Sequence, residues 1–206
     1  MSDNVKEAWQ ACQINNVDAL KKLVPEFISP DASTFNPDNH VHTLLMCAAA
    51  HGSVDCCQYL VDQKAKKFQK NFSGYTALHW AAYTGREECL GILLNNDSDK
   101  SSLFSLTESQ TEDGKTALHI AALRGHLNFI RNLISYGADV NAVSSNGWTA
   151  LHYALTSNQK DVCRFLLSER IKAEAPDMQG KTVFDVAEQY KRKWFIEMFE
   201  KSQISD

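Results

Sequence analysis

The stretch Thr116-Ala-Leu-His-Ile-Ala-Ala-Leu-Arg-Gly125 decides the fold, because the chain contains close copies of it. One copy is Thr76-Ala-Leu-His-Trp-Ala-Ala-Tyr-Thr-Gly85, and another is Thr149-Ala-Leu-His-Tyr-Ala-Leu-Thr-Ser-Asn158. Self-similarity of this kind is typical of a chain that is built from one repeated structural unit. The repeat unit, rather than the overall composition, therefore carries the fold prediction.

Three weaker copies extend the pattern in both directions. They begin at Lys6, Thr43 and Thr182, so the six copies lie 37, 33, 40, 33 and 33 residues apart. A unit of 33 residues with the pattern T-x-L-H-x-A-A resembles the ankyrin repeat, which consists of a turn and two helices. The resemblance extends over the whole chain. It implies an all-α solenoid of six stacked helix-turn-helix units with hairpin-like connecting loops.

The spacing also predicts the domain organisation. We expect one domain over residues 1–206, with repeats at about 1–37, 38–70, 71–110, 111–143, 144–176 and 177–206. The first and last copies depart most from the motif, as the capping repeats of a solenoid do. This division leaves no residues for a catalytic domain, a tail or a targeting extension.

Each copy contains the start and stop signals of a short helix. The threonines at 43, 76, 116, 149 and 182 stand where a hydroxyl can cap a helix N-terminus. Gly52, Gly85 and Gly125 follow where the first helix must end, a position that favours left-handed backbone. Asn15 and Asn158 replace glycine there, and asparagine is the next most tolerant residue. One repeat cannot bury its own apolar face, so we expect the core to form by stacking.

Histidine and cysteine are the residues in which a catalytic or metal site would be found. His79, His119 and His152 recur at one repeat position, where the resemblance implies a structural hydrogen bond to the preceding threonine. His40, His42 and His51 fit no zinc spacing. All six cysteines align with apolar core positions, where a thiol acts as a small hydrophobe. We therefore expect no metal, no cofactor and no enzyme activity.

Charge and cysteine content limit the partners and the location. The chain has a net charge of −4 and an isoelectric point near 6.0, which argues against nucleic acid as a partner. It contains no apolar run long enough to span a membrane. Six cysteines without a signal peptide indicate reduced thiols, so we expect the cytoplasm, with the nucleus also open.

Two repeats are longer than 33 residues, because the connections that follow their helices are extended. The longer connection covers residues 95–113 and is mostly polar, so a solvated loop is the favoured interpretation. Leu103, Phe104 and Leu106 leave a second interpretation open, because three apolar side chains in a polar loop need a packing site or a partner.

The resemblance implies a protein partner on the concave face and the hairpin tips. In the last five repeats, five of the 25 positions that vary there are aromatic, against 10% for the chain. Aromatic residues and arginine dominate interaction hot spots. We therefore predict an interface centred on repeats 3–5, with these contact residues: Phe72, Tyr75, Tyr83, Lys115, Arg124, Trp148 and Tyr190.

The predicted function is a non-enzymatic adaptor or scaffold that acts as a monomer. Two other interpretations stay open: a regulatory or inhibitory subunit or assembly chaperone, and a nucleotide or small-molecule sensor in which the same aromatic side chains stack on bases. Asn141, in Asp139-Val-Asn-Ala142, also resembles the asparaginyl-hydroxylation sites of ankyrin-repeat proteins. Asn141 is also the turn residue that the family pattern contains at this position, so a purely structural role stays open beside the modification.

Overall fold

A computed structural model describes residues 3–35, 41–95, 100–169 and 171–204. Within these ranges the chain forms helices, with one short antiparallel ribbon in which Ser33 pairs with Thr43. The elements in chain order are α1 Asp3–Gln13, α2 Val17–Leu23, β1 Ser33–Phe35, β2 Val41–Thr43, α3 Leu44–His51, α4 Val54–Asp62, α5 Ala77–Thr84, α6 Glu87–Asn95, α7 Lys100–Thr107, α8 Ala117–Arg124, α9 Leu127–Ser135, α10 Ala150–Thr156, α11 Lys160–Ser168, α12 Val183–Gln189 and α13 Lys193–Ile204.

The helices stack in two layers. The first-helix layer runs α1, α3, α5, α8, α10, α12, and each helix packs against the next. The second-helix layer runs α2, α4, α6, α9, α11, α13 in the same way. Small residues such as Ala81, Ala82, Ala121 and Ala122 are fully buried between neighbouring first helices, which lets the backbones approach closely. The predicted all-α solenoid of stacked helix pairs is confirmed.

The predicted N-caps are also confirmed. Each of the five threonines immediately precedes its helix with extended backbone. The hydroxyl of Thr43 accepts a hydrogen bond from the N–H of Met46 at 3.2 Å. In the last repeat, Asp185 replaces the motif histidine, and its carboxylate accepts the N–H of Thr182 at 2.7 Å. These bonds satisfy amides that the helix leaves unpaired at its start.

The first helices end as predicted. Gly125, at φ 83°, adopts the left-handed conformation directly after α8. The two asparagines that replace glycine adopt it as well, with φ 56° at Asn15 and 61° at Asn158. The side chain of Asn15 has a second role, because its Oδ1 accepts the N–H of Asp55 at 3.1 Å in the following repeat.

Backbone hydrogen bonds join the tips of the last four hairpins. The N–H of Glu112 donates to the carbonyl of Ser73, that of Ser145 to Asp113, and that of Met178 to Asn146, over 3.0–3.2 Å. Each bond joins one tip to the next. The tips therefore form a continuous row along one edge of the two layers.

The prediction of a solvated loop over 95–113 is wrong for residues 100–107, which form helix α7. Leu106 is buried and ties the helix to the core, whereas Phe104 is 57% exposed. The side chain of Leu103 lies outside the described residues. An insertion of this length is seldom without structure of its own, and an apolar anchor gives it a place to pack. Repeat 3 therefore carries a third helix.

The six cysteines are free and buried, as the repeat alignment predicts. Cys12, Cys56, Cys57, Cys89 and Cys163 have no exposed surface, and Cys47 has almost none. Burial raises the pKa of Cys163 to about 12, so this thiol stays protonated at neutral pH. Across the described residues, no helix has the length and apolar character needed to cross a membrane.

Candidate functional site

Trp80 is the centre of a cluster of rings in the first-helix layer. Its ring centroid lies 4.8 Å from that of His42, 5.5 Å from Tyr75 and 5.6 Å from Tyr83. Trp9 joins the cluster through His42, with 6.3 Å between the ring centroids. We call these five residues the aromatic patch. They come from the first three repeats, so stacking of the repeats is what assembles the patch.

The aromatic patch is open on one side. Tyr83 is 37% exposed, whereas Tyr75 and Trp80 are partly buried and pack against the core. The indole N–H of Trp80 is buried and has no acceptor within the described residues. His42, on β2, is buried, and His51, at the end of α3, donates from Nδ1 to the carbonyl of Cys47 at 2.9 Å. His40 lies outside the described residues.

Arg124 covers one face of the patch. Its guanidinium carbon lies 3.8 Å from the ring centroid of Tyr83, which is a cation–π contact. The residue is exposed, and none of the ion pairs formed between described residues includes it. Arg124 ends α8 and Tyr83 lies near the end of α5, so the contact joins two neighbouring first helices.

A second cluster lies two repeats further along. The ring of Trp148 stacks on His152 and meets Tyr153 edge-on, with centroids 5.7 and 5.4 Å apart. The indole N–H of Trp148 donates to Oδ2 of Asp177 at 2.9 Å. Nζ of Lys115 lies 5.7 Å from the ring centroid of Tyr153. We call these residues the tryptophan cluster. Its tryptophan connects two hairpins, so it also supports the fold.

The structure divides the seven predicted contact residues into three groups. Tyr75, Tyr83 and Arg124 meet in or over the aromatic patch. Lys115 and Trp148 belong to the tryptophan cluster. Phe72, 65% exposed, lies on a hairpin tip, and Tyr190, 40% exposed, follows α12. Neither of these two makes a ring contact with either cluster within the described residues.

Sequence reasoning missed Trp9, His42, Trp80 and Tyr153 as members of these clusters. Trp80 and Tyr153 occupy the repeat position that also holds Cys47 and Ile120, which was interpreted as apolar core. That interpretation is correct for Tyr153, which is buried, but Trp80 is only partly buried. A signal was available, because this position follows the motif histidine and holds a large aromatic side chain in two repeats.

The motif histidines are structural. Nδ1 of His79 accepts the N–H of Thr76 at 3.1 Å, and its Nε2 donates to the carbonyl of Lys115 at 3.1 Å. His119 repeats both bonds with Thr116 and Ala142, at 3.0 and 2.9 Å. Burial lowers the pKa of His79, His119 and His152 to about 4, so all three are neutral at physiological pH. The implied threonine bond is confirmed.

Asn141 joins two repeats. Its side-chain Oδ1 accepts the backbone N–H of Lys172 at 2.8 Å. Glu108 does the same one repeat earlier, where its carboxylate accepts the N–H of Asp139 at 2.9 Å, and Asp31 accepts the N–H of Lys66 at 2.7 Å. The asparagine thus has a structural role that is independent of any modification.

The stacked helix pairs, the threonine–histidine capping bonds and the row of hairpin tips define a helical repeat module. This chain belongs to the ankyrin-repeat family: a family model described as ankyrin repeats in three copies matches residues 8–104 and again 102–177.

Its relatives are larger proteins of different kinds. The chain is 29% identical, over 76% of its length, to a transient receptor potential cation channel subfamily A member 1 homolog of Caenorhabditis elegans. It is 38% identical, over 38% of its length, to mouse protein phosphatase 1 regulatory subunit 12A. It is 31% identical, over 55% of its length, to the NF-kappa-B inhibitor cactus of Drosophila melanogaster. The aligned part covers only 12%, 8% and 28% of these three relatives.

Proposed function

We propose that this protein is a protein-binding module whose interface is centred on repeats 3–5, on the concave face and hairpin tips. One observation carries the proposal: Arg124 and Tyr83 stack at the exposed edge of the aromatic patch. Aromatic residues and arginine supply most of the binding energy in protein interfaces. Here they are already in contact with one another before a partner binds.

The stack favours binding because it is ordered in advance. Tyr75 and Trp80 pack against the core, and the tips are joined by backbone hydrogen bonds. A partner would therefore meet side chains that have already lost most of their rotamer freedom, and this reduces the entropy cost of association. Phe72 and Tyr190 extend the proposed surface at its two ends.

We also propose that the chain forms one domain and that its role is non-enzymatic. The motif histidines and the cysteines, two kinds of residue that could perform acid–base or nucleophilic chemistry, are used for structure: the histidines hold the hairpins, and the cysteines fill the core. The buried reduced thiols favour an intracellular location, in the cytoplasm or nucleus. A regulatory or inhibitory subunit is the second candidate, because the names of two relatives describe a regulatory subunit and an inhibitor.

Affinity capture with matched variants tests this interface. Tyr83→Ala removes the exposed ring of the patch, and Phe104→Ala removes an exposed ring of α7 on another part of the surface. We expect proteins captured by the wild-type chain to be lost with Tyr83→Ala and retained with Phe104→Ala. Binding that survives Tyr83→Ala, with helical circular dichroism unchanged, would place the interface elsewhere.

A further inference from the structure

Two acidic side chains of the proposed surface, Asp113 and Asp177, already have polar partners, whereas the guanidinium of Arg124 has no ion pair with a described residue. The carboxylate of Asp113 pairs with Nζ of Lys115 at 3.1 Å. The carboxylate of Asp177 accepts the indole N–H of Trp148 at 2.9 Å and the backbone N–H of Lys181, also at 2.9 Å. Arg124 is exposed and has no ion pair within the described residues. Arg124 therefore keeps a positive charge that no described carboxylate pairs with.

The setting of Arg124 suits a planar anion. Its guanidinium carbon lies 3.8 Å from the ring centroid of Tyr83, so the aromatic ring covers one face of the cation. Stacking leaves the N–H edges of a guanidinium available, and these edges match a carboxylate bidentately. Stacking on the ring also restricts the side chain of Arg124, so a bidentate bond costs less conformational entropy. The arginine is thus held in place for a second contact in the plane of its donors.

We propose that Arg124 binds a carboxylate of an acidic peptide segment of the partner, and that an apolar residue beside this carboxylate packs on Tyr75 and Trp80. The inference rests on the proposed function and adds the chemistry of the partner. One guanidinium balances the single charge of an aspartate or glutamate. A phosphate carries more than one negative charge at neutral pH, which one guanidinium does not balance, and this favours a carboxylate over a phosphopeptide.

A random twelve-residue peptide library displayed on phage and selected on the full chain tests this. Peptides recovered in selection are synthesised in acidic form and with Asp or Glu replaced by Asn or Gln, and their Kd values are measured by fluorescence anisotropy. We expect selected peptides to be enriched in Asp or Glu next to an aromatic or aliphatic residue. The neutral form should bind the wild-type chain about tenfold more weakly.

Arg124→Gln and Arg131→Gln form the matched pair of variants. Arg131 also lies over a ring, 4.2 Å from the centroid of Phe165, but in the second-helix layer. With Arg124→Gln the acidic and neutral peptides should bind equally, and with Arg131→Gln the tenfold preference should remain. Added NaCl should raise the Kd of the acidic peptide for the wild-type chain more than its Kd for Arg124→Gln, because salt screens the charge interaction.

The outcomes separate the two levels of the proposal. An acidic preference that persists in Arg124→Gln, selected peptides without acidic residues, or tighter binding of a synthetic phosphoserine form of a selected peptide than of its acidic form overturns the carboxylate site. Peptides that bind Tyr75→Ala and Tyr83→Ala as well as the wild-type chain overturn the proposed interface itself. A library that yields no binding peptide contradicts the interface in the same way.

Discussion

Nε2 of His119 donates a hydrogen bond to the carbonyl oxygen of Ala142 at 2.9 Å, so α8 holds the connection that leads to the next hairpin. His79 makes the corresponding bond to Lys115 at 3.1 Å. His152 keeps the capping contact with Thr149, but its Nε2 is buried with no acceptor within the described residues. The motif histidine is therefore the same residue in three repeats, but among the described residues it forms one hydrogen bond fewer in the repeat of His152.

This difference predicts unequal costs of substitution. His119→Ala should lower the free energy of unfolding by about 1 kcal/mol more than His152→Ala, because it also leaves the Ala142 carbonyl without its partner. Urea unfolding followed by circular dichroism measures both values. Equal losses, or a larger loss for His152→Ala, would contradict the structural assignment.

The buried histidines also predict a loss of stability in acid. Burial holds the pKa of His79, His119 and His152 at about 4 in the folded chain, below the ordinary value of 6.5 expected after unfolding. The unfolded chain therefore binds more protons as the pH falls from 6.5 to 4. The contribution of these histidines to the free energy of unfolding is fully present above pH 6.5. It is lost as the pH falls to 4, by about 3 kcal/mol for each histidine. Urea unfolding at pH 7.5 and pH 5 measures the change. Equal free energies of unfolding at the two pH values would show that the three rings are not buried neutral.

Two glycines at hairpin tips provide a matched test of the tip row. Gly114 and Gly180 share a left-handed backbone, with φ values of 73° and 76°. A methyl group on Gly114 would lie 2.5 Å from the backbone nitrogen of Ser145, whereas one on Gly180 would meet nothing within 4 Å. Both alanine variants should lose about 1 kcal/mol because of the backbone conformation. Gly114→Ala should lose more, since its neighbour cannot move without breaking the tip bond. Thermal unfolding that ranks Gly180→Ala as the less stable variant would refute this account.

The bridge from Asn141 to Lys172 predicts a cost for its removal. Asn141→Ala should lower the free energy of unfolding by about 1 kcal/mol, because the N–H of Lys172 loses its acceptor. Asn128→Ala, on an exposed position of α9, is the control and should change little. Urea unfolding compares the two variants. A loss no larger for Asn141→Ala than for Asn128→Ala would mean that water replaces the bond at no cost.

The proposed hydroxylation of Asn141 has a separate readout. Intact mass and peptide mapping of the protein isolated from its native cells should show one added oxygen on the peptide that contains Asn141. The unmodified mass throughout would remove this site from consideration.

Sequence reasoning recovers the fold because the repeat contains its own start and stop signals. Thr116 and Gly125 fix the ends of α8 through local hydrogen bonds and backbone conformation, and these are readable in one copy. Helix α7 was missed because its anchor, Leu106, is recognisable only once the core that buries it has formed. The candidate site was predicted in part: Tyr83 and Arg124 follow from their repeat position. Trp9 and His42 reach the aromatic patch from two earlier repeats, and no local pattern reports contact between repeats.

The row of hairpin tips makes the last repeat a template for designed extension. Each tip so far offers one carbonyl to the next, from Ser73, Asp113 and Asn146, and the corresponding carbonyl in the last tip belongs to Gln179. Space is already open beside Gly180. A consensus repeat grafted after α13, and stacked on α12 and α13, could add its hairpin at this point in the same register. The length of the solenoid is thus adjustable, because each repeat presents the stacking surface and the tip carbonyl that the next repeat needs.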